Sequence, residues 1–166
     1  LPFFVEVLAQ IKRSEPTQTP FIHVDILGVG PETSSWKKRV QKMALDAQII
    51  WYGQLDHAQA LSIMNRAHAL VFTSIKEGTP HVVLEALSLG LPVICHDACG
   101  MGVAVKDTCG IKIPLVNPQK SIAGFADAIQ LLLREPEKIQ ALSRQALMRA
   151  DELSWDKIVE EFVSEY

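Results

Sequence analysis

The chain has 166 residues, of which 48% are hydrophobic, 21% charged and 7% aromatic, and its formal net charge is −3. This composition excludes disorder as the overall state, and a chain of this size buries roughly two-thirds of its unfolded surface, so a core needs neither disulfides nor a structural metal. With Asp and Glu at 19 against Lys and Arg at 16 there is no broad positive field for nucleic acid, and a small ligand or a protein is the expected partner.

In chain order, Phe4, Val7, Leu8 and Ile11 recur at helical spacing until Glu15-Pro16 and Pro20 break the pattern, so the first element reads as a helix ending in a loop. Residues 21–27, Phe-Ile-His-Val-Asp-Ile-Leu, are largely apolar and β-branched and end at Gly28-Val29-Gly30-Pro31, as a buried strand running into a ligand-side loop does. Next come a helix from about Ser34 to Leu45, a strand at Ile49–Tyr52, a helix at Ala58–Ala67, a strand at Ala69–Thr73, a helix at Val82–Leu89 and a strand at Pro92–Cys95. A loop at Asp97–Gly110 leads to a short strand, Ile111–Pro114, and then to helices at Ser121–Arg134, at Pro136–Ala150 and from about Ser154 onward. The alternation implies a doubly wound α/β fold: a mainly parallel sheet flanked by helices. Residues 1–166 read as one domain, and a start at Leu1, already in a helix, is expected of a piece cut just after the first strand of its sheet.

No window approaches the ~20 apolar residues of a membrane span, and the first residues lack the pattern of a signal peptide. The three cysteines, Cys95, Cys99 and Cys109, are too few for a disulfide framework and lack the C-x-x-C pairs of a zinc site, which points to a reducing, cytoplasmic setting.

The stretch from Ser74 to Glu85 carries the most chemistry, because it joins a strand end to a helix, where open α/β sheets bind ligands. Its helix reads Val-Val-Leu-Glu-Ala-Leu-Ser-Leu over 82–89, apolar around nearly its whole circumference, and is expected to be buried with Glu85 as its single charge. A buried carboxylate needs a partner, and no Lys or Arg stands one turn away, so a distant side chain or a ligand hydroxyl must satisfy it. The backbone N–H groups from Thr79 to Val82 face the positive end of the helix dipole, which suits a phosphate, and Pro80 in the first turn gives up only a donor that is unpaired anyway. Glu77 reads either as a solvated loop residue or as a contact to what the phosphate carries, and His81 either as a helix-start residue or as a sugar or phosphate contact. A second glycine turn, Gly28-Val29-Gly30-Pro31-Glu32-Thr33, matches only the first two glycines of G-x-G-x-x-G. It is either a simple tight turn or a place where a phosphate approaches the backbone.

His23, His57, His68 and His96 lack metal-ligand spacing and read as surface or core histidines, and Cys95 as a small core residue. Neither Asp-x-Asp, H-E-x-x-H nor G-x-S-x-G occurs, which removes support for a metal-bridged diphosphate, a zinc peptidase and a serine hydrolase.

The string Glu77-Gly78-Thr79-Pro80-His81-Val82-Val83-Leu84-Glu85, followed by Ala86-Leu87-Ser88-Leu89-Gly90-Leu91-Pro92-Val93, resembles the Glu-x7-Glu signature and the E-A-x-A-x-G-x-P-V continuation of retaining glycosyltransferases of the GT-B fold. Further similar segments follow in the family's order: Leu27–Pro31, Trp51–Leu55, Ala67–Ser74, Gly110–Pro114 and Ser154–Ile158. The chain as a whole is similar to the C-terminal half of such enzymes, which take part in polysaccharide synthesis.

The resemblance implies that Glu85 holds the ribose hydroxyls of a UDP- or GDP-linked sugar, that the N–H groups of Gly78, Thr79, Pro80's neighbour His81 and Val82 bind the diphosphate and sugar, and that Glu77 contacts the sugar ring as the catalytic carboxylate. Pro80 itself shapes the start of the helix. Gly28 and Gly30 would border the donor, and Gln54, Leu55 and Asp56 the base. Neither a metal nor a cofactor is implied beyond the nucleotide sugar. The acceptor, a saccharide or lipid, and any peripheral contact with the inner face of a membrane belong to an N-terminal half outside the chain. The family also places an Arg and a Lys on the diphosphate, which would fall before Leu1, and a Glu in the loop after the fifth strand, where Gly100–Val105 has none. A sugar-nucleotide epimerase, a phosphorylase and a non-catalytic Rossmann-like module share the architecture. The apolar face Ile158, Val159, Phe162 and Val163 of the last helix is expected either on that other half, leaving an isolated piece prone to dimerise, or on its own sheet.

Overall fold

Among the described residues each of five strands pairs in parallel with a neighbour reached through a helix, because a parallel ladder needs a crossover that only a helix or a long connection supplies. The computed structural model describes residues 2–17, 21–78 and 80–164. Within it the chain divides into two compact units, Leu1–Ile63 with Val116–Arg134, and Met64–Leu115 with Glu135–Tyr166. The hydrogen-bonded ladders divide likewise, into a two-stranded and a three-stranded sheet.

The first unit holds β1 (Val24–Leu27) and β2 (Ile49–Gly53) with helices α1 (Pro2–Ser14), α2 (Thr33–Lys42), α3 (His57–Met64) and α6 (Pro118–Arg134). Phe4, Val7, Leu8 and Ile11 are buried as their spacing predicts, and Val5 joins them. This face of α1 packs on α6, where Phe3 meets Phe125 edge to face at 5.5 Å. Asn117 starts α6 by accepting the Lys120 N–H at 2.9 Å, and Pro118 occupies the first helical position, where its lost donor costs nothing. Lys12 reaches from α1 to the carbonyls of Met43 and Ala44 at the end of α2. The strand is shorter than expected: β1 begins at Val24, which leaves Phe21 and His23 exposed ahead of it.

The second unit holds β3 (Leu70–Phe72), β4 (Val93–His96) and β5 (Gly110–Ile113) in that spatial order, with α4 (His81–Ser88), α5 (Cys99–Ala104), α7 (Pro136–Glu152) and α8 (Trp155–Ser164). The central strand β4 is buried along its whole length, Cys95 and His96 included. Two expectations are corrected here. A helix, α5, occupies part of the segment expected as a loop. Helix α4 is not buried all round: Val83, Ala86 and Leu87 form its buried face, while Leu84 and Glu85 are half-buried and Ser88 is exposed. A single helix face suffices for packing, so the carboxylate of Glu85 is spared full desolvation. On α8, Val159 and Val163 are exposed, which of the two alternatives disfavours a cover over their own sheet; the side chains of Ile158 and Phe162, like Pro20, lie outside the described residues.

Helix α4 ends in a Schellman turn. The Leu91 N–H bonds to the Ala86 carbonyl at 2.8 Å and the Gly90 N–H to that of Leu87 at 2.9 Å, with Gly90 left-handed at φ 67°. A Cβ at Gly90 would stand 3.2 Å from both Leu147 Cγ and Ser143 Oγ of α7. Gly90→Ala therefore meets both backbone strain and a crowded neighbour, and is expected to cost about 1–2 kcal/mol from the backbone alone. In urea unfolding the midpoint should fall with the slope unchanged.

Candidate functional site

The connection from β3 to α4 leaves the sheet at the carboxyl end of β3. The Ser74 carbonyl lies 3.3 Å from His96 Nδ1 at the end of the neighbouring strand, a bond that requires the Nδ1–H tautomer. The Ser74 hydroxyl donates to Glu77 Oε1 at 3.0 Å, and the Gly100 N–H, in the first turn of α5, donates to the Glu77 carbonyl at 3.3 Å. The exposed carboxylate of Glu77 is thus oriented through its side chain and its backbone. Open space surrounds Gly78, where an added Cβ would meet nothing within 4 Å. Thr79 lies outside the described residues.

Pro80, at φ −70° and ψ 124°, is the N-cap rather than part of the first turn, and its own side chain makes no capping hydrogen bond. His81 is the first helical residue and is exposed, with Val82 half-buried behind it. Backbone donors at this end have no acceptor within the helix, and with the dipole they form a region of positive potential. Glu85, one turn further on, lines a cavity of about 270 Å³ together with Leu84 and Ser88 of the same helix and Ala150 and Leu153. That is room for a small ring, below the ~300–1,000 Å³ of pockets for larger ligands.

The remaining predicted residues lie in the first unit. The carboxyl ends of β1 and β2 lie side by side, with a register shift between Ile26 and Leu27. The Gly28 N–H bonds to the Gly53 carbonyl at 2.7 Å, and Gly28 itself stands at φ 99°, which admits only glycine without strain. The Gly30 N–H is taken by Thr33 Oγ1 at 2.9 Å, while the Thr33 N–H returns to the Gly30 carbonyl at 3.0 Å. Both glycine amides are therefore engaged inside the protein, and what Gly28 offers a ligand is open space. In the next turn Gln54 is exposed and Leu55 half-buried. Asp56 closes a capping box on α3: its Oδ1 accepts the Gln59 N–H at 2.8 Å, and Gln59 Oε1 accepts the Asp56 N–H at 3.2 Å.

The D-x-x-Q spacing of that box was legible in the sequence, whereas the Ser74 and His96 contacts join residues 22 apart and carried no local signal. Lys112 on β5, with a side chain only 20% exposed, sits 3.5 Å from Asp97 and 3.8 Å from Asp107. Among the described residues no group of three or more His, Cys, Asp and Glu stands close enough to hold a metal ion, and no helix is long and apolar enough to cross a membrane.

Burial pushes the Cys95 thiol up to about 12, with Lys112 pulling it partly back, and burial likewise raises that of Cys109. Cys99 is exposed. Because the thiolate is the nucleophile, the native chain at pH 8 is expected to yield one fast thiol to a disulfide reagent, Cys99, and three after unfolding; a second fast thiol would contradict this burial.

The family model for glycosyl transferases group 1 matches residues 2–149. The chain belongs to that family. It is 26% identical over 156 residues to a glycogen synthase of Mycobacterium tuberculosis, covering 93% of this chain and 36% of the relative. It is 24% identical over 184 residues to a D-inositol 3-phosphate glycosyltransferase of Mycobacterium leprae, covering 100% and 42%. The chain thus spans well under half the length of these relatives. Among solved structures it is similar to the pneumococcal O-GlcNAc transferase GtfA in complex with UDP and GlcNAc, with a TM-score of 0.82 at 21% identity over 99% of this chain and 32% of that one. It is also similar to the C-terminal domain of the group 1 protein LpcC of Francisella tularensis, with a TM-score of 0.73 at 20% identity over 91% and 77%. At such identities the likeness is one of fold: parallel sheets flanked by helices, Rossmann-like, as in GT-B glycosyltransferases.

Proposed function

We propose that this chain is the donor-binding part of a retaining glycosyltransferase, which transfers a sugar from a nucleoside-diphosphate sugar to an acceptor hydroxyl. The observation that carries the reading is the arrangement around α4 in a chain of this family: an oriented carboxylate, Glu77, before a helix start whose N-cap, Pro80, offers no capping side chain, and a second carboxylate, Glu85, one turn beyond it. The structures of the pneumococcal transferase and of Anabaena HepE were determined with UDP, which supports a nucleotide-linked donor.

On this reading the residues divide the work by chemistry. Glu85 accepts hydrogen bonds from the ribose hydroxyls, a role that suits a carboxylate half in water and facing a cavity. The N–H groups of His81 and Val82, with Gly78 and Thr79 upstream, meet the diphosphate. As the glycosidic bond breaks, positive charge grows on the anomeric carbon and negative charge on the departing diphosphate, and donors fixed before the reaction stabilise the latter without reorganising. This assignment requires no metal. Glu77, its carboxylate steadied by Ser74, faces the sugar. Gly28, Gly30, Gln54, Leu55 and Asp56 are assigned to the surroundings of the donor, with Gln54 exposed and Asp56 held in the α3 cap. The cytoplasm, where the thiols stay reduced, is the compartment that fits.

Calorimetric titration with UDP, GDP and their glucose conjugates tests the reading. Binding of one pair is expected, and Glu85→Ala should weaken it roughly tenfold, the value of a hydrogen bond to a charged group. The 2′-deoxy nucleotide should bind the native chain more weakly than its ribose parent, and the difference should vanish in Glu85→Ala. Native affinity in that variant would remove the ribose assignment.

A further inference from the structure

Helix α5 has few means of standing by itself. It has six residues, against the ~12–15 that an isolated helix needs in water, and two of them, Gly100 and Gly102, are poor helix formers. It begins on Cys99 at φ 50°, a backbone that side-chain-bearing residues adopt at a cost, and no side chain caps its first turn.

Met101 and Ala104 are buried in packing it against the rest of the unit, and its far end is held by a side chain. Arg149 of α7 donates from Nε to the Ala104 carbonyl at 3.0 Å and from Nη2 to the Val103 carbonyl at 2.9 Å. These are the last two residues of the helix, whose carbonyls find no acceptor-to-donor match further along it. The third edge of the guanidinium bonds to Glu152 at 2.7 Å, and Glu152 also takes the Lys106 ammonium at 2.8 Å. Those two hydrogen bonds, that of Lys106 first, hold the Glu152 carboxyl below its ordinary range. With its side chain only 13% exposed, Arg149 is locked on three sides. The planar guanidinium meets the two carbonyls and Glu152 at once from three fixed directions, whereas a lysine would have to reach all three from a single nitrogen.

The other end of α5 reaches the loop before α4. The Gly100 N–H bonds to the Glu77 carbonyl, and Cys99 Sγ lies 3.9 Å from the Ile75 carbonyl. Any motion of α5 along its axis changes these contacts, because the helix is under two turns long and both its ends are engaged.

We propose that Arg149 is a positioning residue: by capping the end of α5 it holds the helix whose first turn fixes the backbone of Glu77, and through it the carboxylate that faces the sugar. The last clause rests on the donor reading above. The mechanical part, from Arg149 to the Glu77 backbone, stands without it.

Two measurements keep these apart. Hydrogen exchange on the native chain, Arg149→Ala and Arg149→Lys follows the Gly100 amide and residues 74–78. Arg149→Ala should speed exchange at Gly100 and in 74–78 by roughly tenfold, as expected for two lost hydrogen bonds from a charged donor, and Arg149→Lys should restore little of the protection. Faster exchange in 99–105 with 74–78 unchanged would overturn the proposal, as would full rescue by lysine. Titration with UDP and UDP-glucose, or with the GDP pair if that is the one bound, then reads the consequence at the site. Arg149→Ala should lower affinity for the sugar nucleotide severalfold more than for the diphosphate, since only the former meets Glu77. Gly90→Ala, which strains the same unit away from α5, should leave that ratio unchanged. An equal loss for both ligands overturns the link to the sugar. A native chain that binds neither pair overturns the donor reading, while the exchange result still decides the role of Arg149.

Discussion

Parallel pairing is the constraint from which the rest follows. Strands that run the same way must each be followed by a crossover, so within each unit every strand-to-helix connection leaves from the same edge of its sheet. In the first unit this brings the Gly28 and Gln54 turns together, joined by the hydrogen bond from Gly28 to Gly53. In the second it brings the loop after β3 beside the loop after β4, which is why His96 and Gly100 reach Ser74 and Glu77 across a gap of some twenty residues in sequence. The site chemistry depends on this edge because loops alone offer no fixed geometry. The hydrogen-bonded ladder beneath them does.

Helix α7 plays for the second unit the part that a backing plate plays for a hinge. Its residues meet the other elements at helical intervals: Ser143 and Leu147 against Gly90, buried Leu142 and Ala146, Arg149 on the end of α5, and Ala150 with Leu153 beside Glu85. The two helices that flank the Glu77 loop are therefore both terminated against the same element, one by a left-handed glycine and one by a guanidinium. Each device satisfies carbonyls that a helix end leaves open. The ion pairs at this surface add little by themselves, since exposed pairs are worth at most about 1 kcal/mol. The contribution of Arg149 lies in its two carbonyls and its burial.

Much of the fold was legible because its signals are local. The spacing of Phe4, Val7, Leu8 and Ile11, the apolar run of β4 and the breaks at Gly28 and Gly90 depend on neighbours a few residues away, and the structure shows the elements where these signals place them. The segment 97–110 misled for the same reason. Three glycines and a short apolar run contain no helix signal, and the contacts that hold α5, the cap from an arginine some 45 residues further along among them, come from residues distant in sequence. Phe21 read as strand core from its composition, but the ladder begins only at Val24, where a partner at Ile49 exists.

The sequence by itself determined the alternation of strands and helices, hence parallel sheets, and the string from Glu77 to Glu85 that carries the family resemblance; both are written in short-range patterns of side-chain type. Tertiary structure decided how each of those residues is used. It left Glu85 half in water beside a cavity instead of buried, turned Asp56 to a helix cap, engaged the amide of Gly28 with the neighbouring strand end and that of Gly30 within its own turn, and set Glu77 between Ser74 and α5. The reason is physical: exposure and hydrogen-bond partners belong to pairs of residues brought together by the fold, and spacing along the chain does not encode which pairs those are.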